Sequence, residues 1–355
     1  MPDLAEVFRR HRHGLSSDGG PPLSPAQWKA LRAIVACRTP ALGGHLYHCA
    51  DCRRPHFVSH SCNHRSCPRC GAMEAKEWLE KQKARLLPAP YFLVTFTLPE
   101  PLRSAAYAHQ QIVYTALMQE AAATLQELAH TRLGGEAGFF GVLHTWTRQL
   151  LYHPHVHFVV AGGVFSGHEW VRLRQDDFLL PVRVLSRLFR RKMRQRLEAQ
   201  LPAPAWAQIP RTIWSQDWVV HSQAAGGGEE VLGYLSAYVF RSAITDRRIL
   251  RDQDGQVTFA WRPNGSATDE LCTLPAHAFL RRVLLHVLPK GLHKIRYFGW
   301  LHGRAKKRFL RLQTLLAVAL RLDQLPPRPP LHCPHCGAAS LVRIARLPRM
   351  RLDSS

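Results

Sequence analysis

YHPHVHFVVAGG, residues 152–163, sets His153, His155 and His157 in alternation with Pro154, Val156 and Phe158. A period of two is that of an extended strand, whose successive side chains leave opposite faces. The three imidazoles therefore emerge together while the apolar residues enter a core. Histidines that share one face of a strand can share one divalent ion. Spacing leaves the ligand choice open: His155 and His157, deeper in the strand, are the expected pair, with His153 or His144 as a third. An ion with so few protein ligands keeps open positions and is suited to polarise a phosphoryl oxygen.

Upstream, GFFGVLHTW ends at Trp146 and reads as a neighbouring strand, and YFLVTFTLP, residues 91–99, is rich in the aromatic and β-branched residues of a buried one. Helical patterns surround these strands. LSPAQWKALRAIVAC offers Ser24 as an N-cap and Pro25 in the first turn; a second helix begins near Ala72 and is stopped by Pro88 and Pro90. Further helices are expected over about 103–130, in the basic segment SRLFRRKMRQRLEAQL, in EEVLGYLSAYVFRSAI, and over 276–322 as two basic helices parted at Pro289-Lys290-Gly291. QVTFAWRP reads as a strand. LPPRPP, residues 325–330, reads as a stiff linker to a short tail. The expected domains are 1–88, 89–324 and 325–355.

The chain has 355 residues and carries 48 Lys and Arg against 25 Asp and Glu, a net charge of +23. Such a balance points to a polyanionic partner, most simply nucleic acid, with an anionic membrane surface as the competing reading. There is no run of 18 apolar residues, and MPDLAEVFRRHRHG lacks the apolar region of a secretory signal, so an intracellular protein is expected. Its nine cysteines should then be reduced, which argues for metal before disulfide.

Six cysteines lie between Cys37 and Cys70. Cys49-x2-Cys52 and Cys67-x2-Cys70 are separated by 14 residues, near the spacing at which two turns present four thiolates to one structural zinc. Cys62, His64, His48 and His60 are surplus donors, of which Cys62 and His64 are the alternates. Cys333-x2-Cys336 is half a site, open to completion in space, to a metal bridging two chains, or to no role at all.

Tyr234 and Tyr238 stand at i and i+4 in EEVLGYLSAYVF, so their phenols share one helical face. A phenol with a pKa near 10 attacks a phosphodiester poorly until a cation assists it. Beside a metal on the histidine strand, the two tyrosines become candidate nucleophiles for two successive strand transfers. Arg241, Arg247 and Arg248 follow the helix, and Lys290, Lys294 and Arg296 lie further on, as candidate phosphate contacts. Tyr297, Phe298 and Trp300 are candidates for stacking on unpaired bases, with core packing the expected role for at least one of them. No GxxxxGK[ST] loop argues for ATP use, and neither GxSxG nor HExxH is present.

CADCRRPHFVSHSCNHRSCPRC, FLVTFTLPEPLR, HPHVH, YLSAYVFRSAITDRRIL and LLHVLPKGLHKIRYFGWL, in this order, resemble the two-tyrosine rolling-circle transposases of the insertion-sequence ninety-one family over nearly the whole chain. The resemblance implies an α+β protein with an HUH endonuclease fold: a central antiparallel sheet flanked by helices, with the histidine strand beside FLVTFTLP and a zinc-binding module ahead of it. It implies Tyr234 and Tyr238 as nucleophiles making 5′-phosphotyrosine, His155 and His157 holding magnesium or manganese, and structural zinc on the cysteines. Single-stranded DNA would be the substrate, with host replication proteins as partners, in the bacterial cytoplasm at the nucleoid, without membrane or ATP. Ala237 departs from the arginine expected before the second tyrosine. A plasmid replication initiator or relaxase with the same chemistry, and a non-catalytic zinc-containing DNA-binding regulator, are the alternatives.

Overall fold

The computed structural model of the chain describes residues 2–16, 18–240, 242–318 and 330–349. Helices α1 (Leu4–His11) and α2 (Pro25–Ala36) lead to strands β1 (Gly44–Cys49) and β2 (Pro55–Ser59) and helix α3 (Ala72–Lys83). Next come β3 (Tyr91–Thr97), α4 (Arg103–Ala108), α5 (Gln110–Leu128), β4 (Phe139–Trp146), β5 (Tyr152–Ala161), β6 (Gly163–Phe165) and β7 (Trp170–Arg172). They are followed by α6 (Val182–Gln200), α7 (Ala203–Ala207), β8 (Val220–Ala224) and α8 (Glu229–Val239). Strands β9 (Ile249–Gln253), β10 (Gln256–Trp261) and β11 (Glu270–Pro275), helix α9 (Ala276–Leu284), β12 (Ile295–Phe298), α10 (Lys306–Leu315) and β13 (Leu341–Leu347) complete the order. Among the described residues, no helix is long and apolar enough to cross a membrane.

The elements divide into two units, neither continuous in sequence. The first contains residues 75–239 and 288–323, and the second residues 1–74, 240–287 and 324–355. The sequence reading cuts the chain at 88/89 and treats the tail as separate; in the structure, segment 240–287 and the tail belong to the same unit as the N-terminal module.

The first unit is built on an antiparallel sheet in the order β12-β4-β5-β3-β8, with the histidine strand β5 in the middle and β3 beside it. Period-two alternation sorts its residues. Phe92, Val94 and Phe96 of β3 and Val156, Phe158 and Val160 of β5 face one core, shared with Leu117 and Met118 of α5 and Leu185, Phe189 and Met193 of α6. Complete burial of one such phenylalanine contributes roughly 2–3 kcal/mol. Close packing here depends on a glycine: a Cβ at Gly141 would lie 2.5 Å from the Phe158 ring and 2.9 Å from the Met118 sulfur. Helix α6 buries Leu185, Phe189, Met193 and Leu197 at four-residue intervals and turns Arg183, Arg187, Arg191 and Arg194 to solvent.

On the other face of the sheet, Thr95 opposes His157, Thr97 opposes His155, and His144 of β4 opposes His155. The tight turn between β4 and β5 fixes this pairing, together with a bulge between His144 and Trp146.

One departure from the sequence reading lies in 276–322. The two helices are present as α9 and α10, but strand β12, IRYF, lies between them and pairs with Phe139–Val142 at the edge of the sheet. Three of its four residues, Ile295, Tyr297 and Phe298, are β-branched or aromatic, and tertiary pairing outweighs the helical character of the flanking basic segments.

In the second unit, α2 begins as read. Ser24 accepts a hydrogen bond from the Gln27 amide, the Gln27 side chain accepts one from the Ser24 amide, and Pro25 occupies the first turn. Helices α1, α2 and α9 bury Leu4, Phe8, Leu31, Ile34, Phe279 and Leu280, while the Gln27 amide group donates to the Leu284 carbonyl at 3.0 Å. Two sheets of three strands complete the unit, β13-β1-β2 and β11-β10-β9.

Candidate functional site: a histidine triad and paired tyrosines

The imidazoles that converge are His144, His155 and His157, with ligand nitrogens all within 4.8 Å of one another. His155 Nε2 and His157 Nε2 are 3.0 Å apart, about the separation of two adjacent ligands around an octahedral ion with bonds near 2.1 Å. The hydrogen bonds assign the tautomers. His155 Nδ1 lies 2.7 Å from the His153 carbonyl, which can only accept, so Nδ1 carries the proton and Nε2 of the neutral ring presents a lone pair. His157 Nδ1 lies 2.8 Å from the Thr95 hydroxyl, which can fix that ring in the same sense. His144 Nε2 is buried and has no hydrogen-bond partner. An orphaned buried nitrogen aimed at two lone pairs is a donor set that fits a divalent cation.

Burial keeps all three rings neutral, the form in which imidazole binds metal. It pushes His155 down to about 4 and, aided by His155, His157 down to about 3; His144 falls well below its ordinary value. Because these folded-state values lie below 6.5, the unfolded chain takes up protons first as pH falls. The metal-free protein should therefore lose stability between about pH 6.5 and about pH 3. Thermal melts of the chelated protein should show a shallower loss over that window in a His155→Gln, His157→Gln variant; an unchanged slope would contradict the assignment.

Of the two candidates for a third ligand, His144 is in the triad and His153 is not. His153 emerges on the same face, but its Nδ1 accepts a hydrogen bond from the Arg103 guanidinium at 3.0 Å, which occupies the lone pair a metal would need. His144 takes its place because hairpin register sets it opposite His155. Sequence spacing within one strand could not reveal this, since the ligand comes from the next strand.

Helix α8 lies over the same face. It buries Val231, Leu232, Leu235 and Val239, while Glu229 and Glu230 in its first turn complement its dipole. Tyr238 lies with its ring 4.9 Å from that of His144. Tyr234, one turn earlier and half-exposed, has its ring 4.9 Å from that of Tyr238. Desolvation, followed by the neighbouring Tyr238, pushes the Tyr234 phenol up to about 12, against a smaller opposing pull from Arg148. It is therefore protonated at neutral pH and needs assistance to attack.

Lys294 does not lie free for phosphate. Its ammonium donates to the Tyr238 carbonyl at 2.6 Å and sits 4.6 Å from the centroid of the Trp146 ring. It thus holds the last turn of α8, where carbonyls lack helical partners. Arg296 is half-buried on β12, and burial lowers its pKa; Lys290 is exposed. Arg247 and Arg248 belong to the second unit. Arg247 is exposed, whereas Arg248 donates to the Ala260 carbonyl at 2.8 Å and lies 5.7 Å from the centroid of the Phe259 ring. Arg241 lies outside the described residues.

The expected base-stacking aromatics are packed inward. The Trp78 indole N–H donates to the Tyr297 hydroxyl at 2.9 Å, Phe298 stacks on Phe139 at 5.3 Å, and buried Trp300 stacks on Phe309 at 5.8 Å.

The cysteines form two tetrads rather than the single expected set. Cys67 and Cys70 converge with Cys37 and Cys62, so Cys62 is a full member. Cys49 and Cys52 converge with Cys333 and Cys336. The reason is topological: Cys49 ends β1 and Cys52 sits in the turn after it, while Cys37 caps α2 beside the loop that carries Cys62 and Cys67. His64, the other alternate, belongs to neither tetrad, and its Nδ1 accepts from the Ser66 amide at 3.2 Å. In the first tetrad the Cys37–Cys70 and Cys62–Cys70 sulfurs are 3.6 and 3.7 Å apart, close to the roughly 3.8 Å edge of a tetrahedron with zinc–sulfur bonds near 2.3 Å. These residues fit structural zinc.

An antiparallel sheet thus presents a histidine triad to a helix that carries two tyrosines, in a chain that also holds two cysteine tetrads fit for structural zinc. A family model described as "Transposase zinc-binding domain", of the insertion-sequence ninety-one type, matches residues 7–98, and one described as "Putative transposase" matches residues 138–308. The chain is 36% identical over 379 residues to "Putative transposase y4qJ" of Sinorhizobium fredii (strain NBRC 101917 / NGR234), covering 97% of this chain and 95% of that one. It is 29% identical over 332 residues to "Transposase for insertion sequence element IS801" of Pseudomonas savastanoi pv. phaseolicola, covering 90% and 79%. No solved structure matches the chain. The chain belongs to the transposases of the insertion-sequence ninety-one family.

Proposed function

We propose that this transposase cleaves and rejoins single-stranded DNA through 5′-phosphotyrosine intermediates and so moves an insertion sequence by a rolling-circle route, as an HUH-type endonuclease. The observation that carries the reading is the 4.9 Å approach of the Tyr238 ring to His144, on the face where three neutral imidazoles converge. Magnesium or manganese held there by His144, His155 and His157 would supply Lewis-acid polarisation of a phosphoryl oxygen. The chain's own groups do the rest. A tyrosine hydroxyl attacks the phosphorus, its proton passes to solvent, and the P–O bond to the 3′ oxygen breaks. The 5′ phosphate stays on the phenol and the departing 3′ oxygen takes a proton from solvent to become a free 3′-hydroxyl, so the bond energy is kept for rejoining. Tyr234, adjacent on the same helix, is placed for a second transfer. Lys294 and Trp146 position the helix end, and the exposed arginines of α6, with Lys290, supply cationic surface for the phosphate backbone.

The test is incubation of the full chain, with magnesium or manganese, and an end-labelled single-stranded oligonucleotide carrying an end of the element. A labelled adduct that survives denaturing electrophoresis supports the reading. Retarded mobility without any adduct would favour the DNA-binding regulator instead.

A further inference from the structure

We propose that the C-terminal Cys333-x2-Cys336 closes a second structural zinc site with Cys49 and Cys52, so that one ion ties the end of the chain to its N-terminal hairpin. The matched zinc-binding domain ends at residue 98 and does not reach these two cysteines. Zinc here would make the module a two-part structure, complete only when residues 333–347 are present.

The two half-sites have the same local design. In the first, the Cys49 amide donates to the Arg54 carbonyl at 3.1 Å, and the Arg53 amide donates back to the Cys49 carbonyl at 2.9 Å. In the second, the Cys333 amide donates to the Ala338 carbonyl at 2.8 Å, and the Gly337 amide donates to the Cys333 carbonyl at 2.8 Å. The residue after the second cysteine is left-handed in both, with φ of 56° at Arg53 and 77° at Gly337. Gly337 adopts this without cost, whereas Arg53 does so against its own preference. Each turn thereby aims two sulfurs at a common point.

The turns meet crosswise. Cys49 Sγ lies 3.6 Å from Cys336 Sγ, and Cys52 Sγ lies 3.6 Å from Cys333 Sγ. First pairs with second in each case, as in two half-sites related by a local two-fold. All four sulfurs are free thiols within 4.8 Å of one another, again near the roughly 3.8 Å tetrahedral edge. The backbone continues the match: the Ala50 amide donates to the Ser340 carbonyl at 3.1 Å, and β13 then pairs with β1 from Leu341 opposite Cys49 to Leu347 opposite Gly44. Much of β13 is exposed, with Val342 and Ile344 each 58% accessible. Apolar burial alone therefore holds the strand weakly, and a metal at its start supplies the missing attachment.

Two measurements on the full chain test this, and neither depends on the tyrosine chemistry. Zinc content should fall by one equivalent in Cys333→Ser, Cys336→Ser relative to the parent. With cobalt(II) in place of zinc, the thiolate charge-transfer band should fall by about half, because one of two four-sulfur sites is lost. An unchanged zinc content and band would overturn the proposal. Since that variant can misfold, the unaltered zinc-loaded chain is also treated with iodoacetamide and mapped by mass spectrometry. Cys333 and Cys336 should be protected together with Cys49 and Cys52, and all four should become reactive together on chelation. Rapid labelling of Cys336 while Cys49 and Cys52 stay protected would overturn it.

Discussion

A chain carrying Tyr234→Phe and Tyr238→Phe together should form no covalent adduct with a single-stranded oligonucleotide, with a loss on the order of 10⁴-fold or more, as for other enzymes deprived of their nucleophile. Both rings stay in place, and removing a partly solvated hydroxyl costs about 1 kcal/mol or less, so the melting temperature should hardly move. The single variants should be unequal. Tyr238 lies against His144, whereas Tyr234 reaches the triad only past Tyr238; Tyr238→Phe should therefore remove most of the first cleavage and Tyr234→Phe chiefly the second transfer. Mapping the adduct peptide by mass spectrometry reads this out. Full adduct formation by the double variant would end the tyrosine mechanism.

Removal of the triad should separate chemistry from binding. His155→Ala with His157→Ala, or His144→Ala alone, should slow cleavage about a thousandfold, the equivalent of about 4 kcal/mol of lost transition-state stabilisation. Affinity for the oligonucleotide should stay within a few-fold, because the cationic surface proposed for the phosphate backbone lies outside the triad. Calorimetric titration with manganese should show the same variants losing one binding event. His153→Ala, whose imidazole is engaged by Arg103, should retain that event. A fall in binding equal to the fall in cleavage would make these histidines scaffold, and loss of the manganese event in His153→Ala would restore it as a ligand.

Much of the site was legible because it is local. The alternation of His153, His155 and His157 with apolar residues fixes which face each enters, and four-residue spacing fixes that Tyr234 and Tyr238 share a helical face. Ser24 and Pro25 announced the start of α2 for the same reason. What sequence could not supply was the set of partners far away in the chain. Lys294 and Arg296 look like DNA contacts in a basic run, yet Lys294 caps the tyrosine helix and Arg296 is half-buried in an edge strand. Which of Tyr297, Phe298 and Trp300 pack inward shows only once β12 is paired with β4 and Trp300 is stacked on Phe309.

From its sequence alone, this protein's charge, its family and the strand and helix that carry its candidate site could be read: charge is composition, the family shows in five ordered segments, and the candidate residues are set by spacing within one element. Tertiary structure alone decided that His144 rather than His153 completes the triad, and that the four CxxC cysteines first grouped together divide between two tetrads. It also decided that the tail belongs with the N-terminal hairpin. The physical reason is the same in each case: a ligand set is closed by distance in space, and hairpin register, a bulge and pairing between chain ends almost 300 residues apart set that distance.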